Sequence, residues 1–405
     1  MINADKALRI ILYAAPAGKT EKVGLEKAPG RTAAENITAR EPVPAFRNSS
    51  MDGYAVRSAD LASASAEGPV VLRVAGESSA GNPFTGSFRK GSALRIMTGG
   101  KIPRGADAVV PVELVSGRGD LTVSFSRPAL PGDFVRLPGE DIARGGRVID
   151  RGDLLTPAHV GVLAATGNPC VRVAVPPGVA ILATGDELVR PERKPGEGRI
   201  RNSSSYTLMA LVREAGAHPV FLGIAKDRKK EIRRMVRAGL SSDLLLLTGG
   251  VSVGAHDHVR EVLSKCGVEI LFWRVNIRPG SPLLFGTAGR TLVFGLPGNP
   301  VSTGVTFLQF VRPAIRKMLG RSALFPSQFS ALTDEVLTVK EGKRCYLRGV
   351  VRQEGGVLRV RTTGSQSSGV MSSLVKANCL IVIGEGTSKV PAGGAVTVEF
   401  LHDPL

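Results

Sequence analysis

The sequence predicts an α/β plus β multidomain protein, with a doubly wound α/β domain set between β-rich parts. Three observations carry this. Residues 243–257 read Asp-Leu-Leu-Leu-Leu-Thr-Gly-Gly-Val-Ser-Val-Gly-Ala-His-Asp. Four leucines bounded by an acid and a glycine turn are the pattern of a strand buried on both faces of a parallel sheet. From 171 to 320, apolar runs of strand length alternate with amphipathic runs of helix length, as in βαβ units. At 44–130, and again after 320, short β runs are separated by glycine turns, which reads as all-β structure.

Taken in order, residues 4–14 suit a short helix, with Ala7, Leu8, Ile11 and Leu12 on one face. Strands are expected at 70–74, 92–97, 108–112 and 121–125, and Ser49–Val56 reads as a polar loop, with an acid before glycine, entering a strand. A helix is expected at 157–165 among glycine turns. The α/β stretch predicts strands at 179–183, 220–224, 244–247, 270–273 and 292–294, joined by helices near 203–215, 228–239, 257–266 and 300–319. Strands at 345–352, 357–362, 379–383 and 396–400 follow.

Composition narrows the class of protein. A chain of 405 residues with 43% hydrophobic and 22% charged content is long enough for several buried cores. The formal net charge of +18 is unusual. Its densest part is 226–237, where Ile232, Met235, Val236 and Leu240 recur at helical spacing, so a helix with one solvated basic face is expected there. Other cations are dispersed and aromatics are only 5%, which disfavours nucleic acid, a ligand that asks for a clustered patch. A basic surface that draws small anions fits the same charge. The four cysteines (170, 266, 345 and 379) form no Cys-x-x-Cys pair and read as reduced, mostly buried thiols of a cytoplasmic protein. No signal peptide and no membrane span is expected.

The chemistry gathers at strand ends. Thr248-Gly249-Gly250, with Ser252 beyond, turns from a buried strand towards a helix, which exposes backbone N–H groups where anions bind. It is neither a Walker A loop nor a dinucleotide fingerprint. Alone, such a turn is as often a plain tight turn. A second loop of like build changes the balance: 291–302 is an apolar run ending in Pro297-Gly298-Asn299-Pro300, with Ser302 following. Pro300 suits the first turn of a helix, and loops after parallel strands share the ligand-binding edge. Acids fall at the same edge: Asp186 and Glu187 after 181–185, Asp227 after 222–226, and Asp257 after the glycine turn. Singly, each is more often a helix cap. Together they suit a hard divalent cation such as Mg²⁺ beside a phosphate. Arg278, in Arg-Pro-Gly-Ser281, suits an oxyanion clamp. His256 and His258 flank Asp257 but do not share a helix face, and read as rim residues.

Read together, Ser50-Met-Asp-Gly-Tyr-Ala-Val56, Arg95-Ile-Met-Thr-Gly99, Ala106-Asp-Ala-Val-Val110 with Glu113, Gly139-Glu-Asp141, Ala183-Thr-Gly-Asp-Glu-Leu188, Thr248-Gly-Gly-Val-Ser-Val-Gly254 with Asp257, Leu296-Pro-Gly-Asn-Pro-Val-Ser302, Thr362-Thr-Gly-Ser-Gln-Ser-Ser368 and Ala377-Asn-Cys-Leu-Ile-Val382 resemble the MoeA family of molybdopterin molybdenumtransferases, which includes the E domain of gephyrin. The resemblance implies four domains. These are a discontinuous mixed linker domain at 1–43 and 131–170, a β-rich domain at 44–130, a molybdopterin-binding α/β domain at 171–320 and a barrel-like β domain at 321–405. It implies a homodimer that inserts molybdate into adenylylated molybdopterin with release of AMP, assisted by Mg²⁺, with other cofactor-biosynthesis proteins as possible partners.

By the same resemblance, Asp52 and Thr98 reach the site from the partner chain. Asp186, Glu187, Asp227, Asp257 and Arg278 act in catalysis, with Glu187, Asp227 and Asp257 on the metal. Thr248, Gly249, Gly250, Ser252, Pro297, Gly298, Asn299, Pro300 and Ser302 hold the substrates. Two departures stand out: Arg278-Pro-Gly-Ser281 where the family usually has Lys-Pro-Gly-Lys, and Asn202 where an aspartate is common. A non-catalytic pterin-binding or scaffolding relative, or a tungstate-specific insertase, is the alternative reading.

Overall fold

Glycine turns and buried apolar runs divide the chain into four packed parts in the structure, a computed structural model describing residues 1–117, 119, 121–250 and 258–402. In the β-rich part, six strands pair in the order Ala108–Pro111, Gly53–Val56, Ser92–Ile96, Val70–Ser78, Thr122–Phe125, Val115–Ser116. Period-two alternation puts Tyr54 and Val56 in one core with Leu72 and Phe125, and Ala55 in another with Leu94 and Ile96. Both faces of the sheet are thereby covered.

The mixed part is built from remote segments. Thr20–Gly24 pairs antiparallel with Cys170–Ala174, and Ile37–Thr38 with Arg147–Ile149. Helix Pro157–Ala165 starts at a Thr156–His159 capping box and buries Leu163 among Ala33, Ile149 and Val173. Helix Ala4–Ala14 goes elsewhere: Ala4, Ala7 and Ile11 pack into the α/β core. The segment expected at 1–43 as linker therefore divides, its first helix joining the α/β layer.

The α/β sheet runs His218–Ala225, Gly178–Thr184, Leu244–Thr248, Thr291–Leu296, Leu284–Ala288, Glu269–Trp273. The first four strands are parallel, while Leu284–Ala288 lies antiparallel to both of its neighbours. Helices Ser204–Glu214 and Pro300–Thr306 border one apolar layer, and Lys229–Gly239 and His258–Lys265 the other. The basic helix buries Ile232, Met235 and Val236 as its spacing predicts. Among the described residues, no helix is long and apolar enough to cross a membrane. All four cysteines are free; Cys345 and Cys379 are buried, Cys170 and Cys266 half-buried.

The last part is a closed barrel. Arg344–Glu354 pairs with Val357–Thr362, which pairs with Gln328–Thr333, then Ala395–Phe400, then Cys379–Ile383, which returns to Arg344–Glu354. Closure removes the exposed sheet edge. A short strand of the α/β part, Ile277–Arg278, pairs in parallel with Arg344 and Cys345, so backbone hydrogen bonding ties barrel to α/β domain. Asp5 strengthens the same joint. Its carboxylate accepts from Nη1 and Nη2 of Arg344 at 2.8 and 2.7 Å.

That fork holds the Asp5 carboxyl below its ordinary value of 3.8. A depressed folded-state pKa contributes stability that is present above about pH 4 and lost as pH falls through the folded value. The Asp5 side chain is 60% exposed, so the contribution should stay within about 1 kcal/mol. Asp5→Asn is expected to melt slightly below the parent at pH 7, with the gap closing in acid. A gap that persisted at the lowest pH in melts from pH 7 to 2 would refute the ion-pair origin.

Candidate functional site

The parallel strands end along one edge, where the two small-residue loops meet. Thr248 is buried at the end of its strand. Gly249 and Gly250 then take φ of 85° and 61°, a region L side chains avoid. A Cβ on Gly249 would stand 2.5 Å from the Thr184 carbonyl oxygen, and one on Gly250 2.6 Å from Cγ2 of Val259. Close packing as well as conformation therefore demands glycine at both positions. Residues 251–257, and with them Ser252, His256 and Asp257, lie outside the described residues.

The second loop is braced from within. The Thr303 hydroxyl donates to the carbonyls of Pro297 (2.6 Å) and Asn299 (3.0 Å), and Ser204 Oγ to Gly298 O at 3.1 Å. Pro300 is the first residue of helix Pro300–Thr306, as the sequence suggested, and Asn299 is its N-cap. A Cβ on Gly298 would lie 3.6 Å from Gly249 Cα, so the two loops are in contact. Asn299 Nδ2 reaches across to Ser368 Oγ at 3.0 Å, linking this loop to the barrel.

The carboxylates sit on neighbouring strand ends, all exposed. The Asp186 N–H donates to Asp227 Oδ2 at 3.3 Å, and Lys226 Nζ is 3.9 Å from Asp186 Oδ1. Glu187 folds its carboxylate back against Gly185. Among the described residues, no three acidic, His or Cys side chains gather closely enough to hold a metal. The expected metal set of Glu187, Asp227 and Asp257 includes one residue outside them. Asn202 is buried, its Oδ1 accepting from the Ser205 N–H at 3.1 Å at the start of helix Ser204–Glu214. Its place is structural rather than facing a ligand.

Arg278 opens onto a cleft of about 1170 Å³ between the α/β domain and the barrel. One wall carries Arg278, Ser281, Pro297, Asn299 and Ser302; the other carries Lys340, Lys343, Arg348 and Ser367. Ser281 Oγ donates to Val275 O at 2.9 Å, so the hydroxyl is engaged within its own loop. Arg348 is completely buried. Its Nε donates to Ser373 Oγ and its Nη2 to Ser367 O, each at 3.2 Å, while Nη1 has no protein partner. Burial pulls its pKa below the ordinary guanidinium value, though an arginine stays charged. The guanidinium is hydrogen-bonded to no carboxylate among the described residues. A buried cation with an unfilled donor beside a cleft that holds further cations calls for an explanation, because buried donors are normally paired.

Sequence reasoning did not single out Arg348, Lys340 or Lys343. A signal was there: an arginine centred in the apolar strand run Cys345-Tyr-Leu-Arg-Gly-Val-Val351 is costly to bury without a purpose. Asp52 and Thr98 form a tight pair in the β-rich part. Asp52 Oδ1 accepts from the Thr98 N–H at 2.6 Å and its hydroxyl at 2.7 Å, which holds the carboxyl below its usual range. Neither lines the cleft. The structure thus joins Arg278, Pro297, Asn299 and Ser302 in one cleft and sets Thr248, Gly249, Gly250 and Gly298 beside it. It places Asp186, Glu187 and Asp227 at neighbouring strand ends, and Asp52 and Thr98 in another part of the chain.

Fold and site define a multidomain protein with a cation-bearing cleft between a doubly wound domain and a closed barrel. Comparison with known proteins narrows the class. Residues 2–167 match the MoeA N-terminal region (domain I and II), 180–317 a probable molybdopterin binding domain, and 331–401 the MoeA C-terminal region (domain IV). The molybdopterin molybdenumtransferase of Haemophilus influenzae is 38% identical over 403 residues, 98% of each chain. That of Bacillus subtilis is 36% identical over 410 residues, 99% of this chain and 94% of its own. The solved molybdopterin biosynthesis MoeA protein from Pyrococcus horikoshii OT3 superposes with a TM-score of 0.85 at 30% identity, over 99% of this chain and all of that one. The chain belongs to the MoeA family.

Proposed function

We propose that this chain is a molybdopterin molybdenumtransferase, inserting molybdate into the dithiolene of adenylylated molybdopterin with release of AMP. The observation that carries the reading is Arg348: a buried guanidinium whose Nη1 is unfilled, in a cleft that also holds Arg278, Lys340 and Lys343. A tetrahedral dianion in the cleft can pair with Arg278, Lys340 and Lys343, and with Nη1 of Arg348 once the groups that cover this buried donor shift. Ser302 and Asn299 supply polar groups to the same cleft. The substrate's phosphates suit the Gly250 end of the glycine turn and the loop at Gly298, the Gly249 N–H being taken by Leu296 O at 3.3 Å. The dithiolene would then lie between phosphate loop and oxyanion, an arrangement that replaces a chance encounter by a positioned one.

Asp186 and Asp227 adjoin and offer exposed hard oxygens, so a Mg²⁺ ion would be held there by these two, with substrate phosphate oxygens and water completing its shell. A bound ion would neutralise phosphate charge there as the phosphoanhydride opens. Lys226, beside Asp186, contributes charge to the same end. In this reading the protein works in the cytoplasm as a homodimer, and the Asp52–Thr98 pair reaches the site from the partner copy. Other cofactor-biosynthesis proteins would deliver and collect the anionic ligands.

The test is direct. Protein loaded with adenylylated molybdopterin is mixed with molybdate and Mg²⁺, and AMP is followed by chromatography. Release that rises with molybdate and saturates is expected, and tungstate in its place reports oxyanion preference. Tight pterin retention with no release for either oxyanion would replace the transferase reading with that of a pterin-binding scaffold.

A further inference from the structure

We propose that Lys343, together with Lys340, gathers the oxyanion at the barrel-side lip of the cleft. They stand in for the charge that the facing wall does not provide at Ser281. The proposal rests on the reading of this cleft as an oxyanion site. The two walls are unequal. On the α/β side Arg278 is the cation, because the Ser281 hydroxyl is turned to Val275 O. On the barrel side Lys340 is exposed, Lys343 half-buried and Arg348 fully buried; Glu335 is the carboxylate of the same lining and accepts from the Thr362 N–H at 2.6 Å, so positive charge still prevails in the cleft.

Neither lysine forms an ion pair with a described carboxylate, although pairs abound elsewhere, as at Lys229–Glu261 and Arg352–Asp334. Unpaired cations at a rim raise the local concentration of a dianion and hand it inward.

Lys343 is also held in place. The next residue, Arg344, donates its N–H to Asn276 O at 3.1 Å and forks onto Asp5. In the same register Ile277 pairs with Arg344 and Arg278 with Cys345. Lys343 is therefore held next to the strand pairing that anchors the loop carrying Arg278 and Ser281. Capture by Lys340 and Lys343 and retention by Arg348 are then separate tasks. The first lowers KM for the oxyanion, and the second stabilises it where it reacts.

The experiment compares the full-length protein with a Lys340→Gln/Lys343→Gln variant, and with the same variant carrying Ser281→Lys. Molybdate is the probe, read both as molybdate-dependent AMP release and as equilibrium molybdate binding without pterin. The double variant should raise KM and Kd for molybdate roughly five- to twenty-fold with kcat within about two-fold, and its affinity should depend less on ionic strength. Ser281→Lys should recover most of the loss, which a structural role for the lysines would not predict. Unchanged molybdate affinity and salt dependence in the double variant, or no recovery by Ser281→Lys, overturns the proposal. Weakened binding in a protein that never releases AMP would support the lysines and overturn the transferase reading. Normal release with unaltered binding does the reverse.

Discussion

Arg348→Met is expected to abolish most molybdate-dependent turnover while leaving the fold as stable as the parent, or slightly more stable. A donor aimed at a developing or bound oxyanion contributes roughly two to three orders of magnitude in rate, and Nη1 of Arg348 is the buried donor of this cleft with no protein partner. The stability half of the expectation comes from the same burial. The guanidinium is fully removed from solvent and has no carboxylate beside it. Desolvation of that charge is opposed only by two hydrogen bonds of 3.2 Å, to Ser373 Oγ and Ser367 O. An apolar side chain of similar length removes the penalty along with the bonds. Ser373 Oγ keeps its own bond to Val370 O at 2.6 Å. AMP release and a thermal melt on the same preparation decide the matter. Activity lost in proportion to stability would mark Arg348 as a strut of the barrel, and activity retained would remove it from the site.

Gly249→Ala carries the second large effect, on pterin binding. At φ 85° an alanine costs about 1–2 kcal/mol in backbone strain. Its Cβ would also stand 2.5 Å from the Thr184 carbonyl oxygen, a backbone atom that cannot swing away. Relief requires either the turn or the end of the Gly178–Thr184 strand to move, and that strand leads directly into Gly185, Asp186 and Glu187. One methyl group should therefore disturb both the phosphate turn and the acid cluster. We expect pterin affinity to fall at least about ten-fold and turnover roughly a hundred-fold, since small misplacements of a positioned group cost that much. Gly30→Ala is the control. Its φ is 74°, but an added Cβ meets nothing within 4 Å, so it should lose a little stability and no function. Equal functional losses in the two variants would mean that the turn's shape is not what the ligand reads.

Much of this was legible because local patterns and burial agree. The four leucines from Leu244 form a fully buried central strand with parallel neighbours on both sides, as an unbroken apolar run between an acid and glycine implies. The spacing of Ile232, Met235 and Val236 placed one helix face correctly. The antiparallel strand Leu284–Ala288 was missed. Buried on its inner positions, it shows no alternation, and Gly289 makes its hairpin look like a loop. Gln328–Thr333 was missed for the opposite reason, since its first three residues are exposed and polar in part. Of the candidate residues, those in the Gly249 and Pro297 loops were readable because glycine and proline announce unusual backbone. Arg348 was not, because its importance lies in what surrounds it.

The sequence by itself determined the fold class, the glycine turns at strand ends and the basic character of the surface. Each of these is written in residues adjacent or periodically spaced along the chain. Only the tertiary structure decided that the Arg278 loop and the barrel strand from Arg344 hydrogen-bond side by side, and that Ser281 turns inward to Val275. Only it showed that Arg348, remote from Arg278 in sequence, is buried against the same cleft with Nη1 lacking a protein partner. The reason is physical. Whether a charged side chain lies on the surface or in a desolvated cleft depends on which segments close around it. That closure comes from strand pairing between remote parts of the chain, which no local pattern specifies.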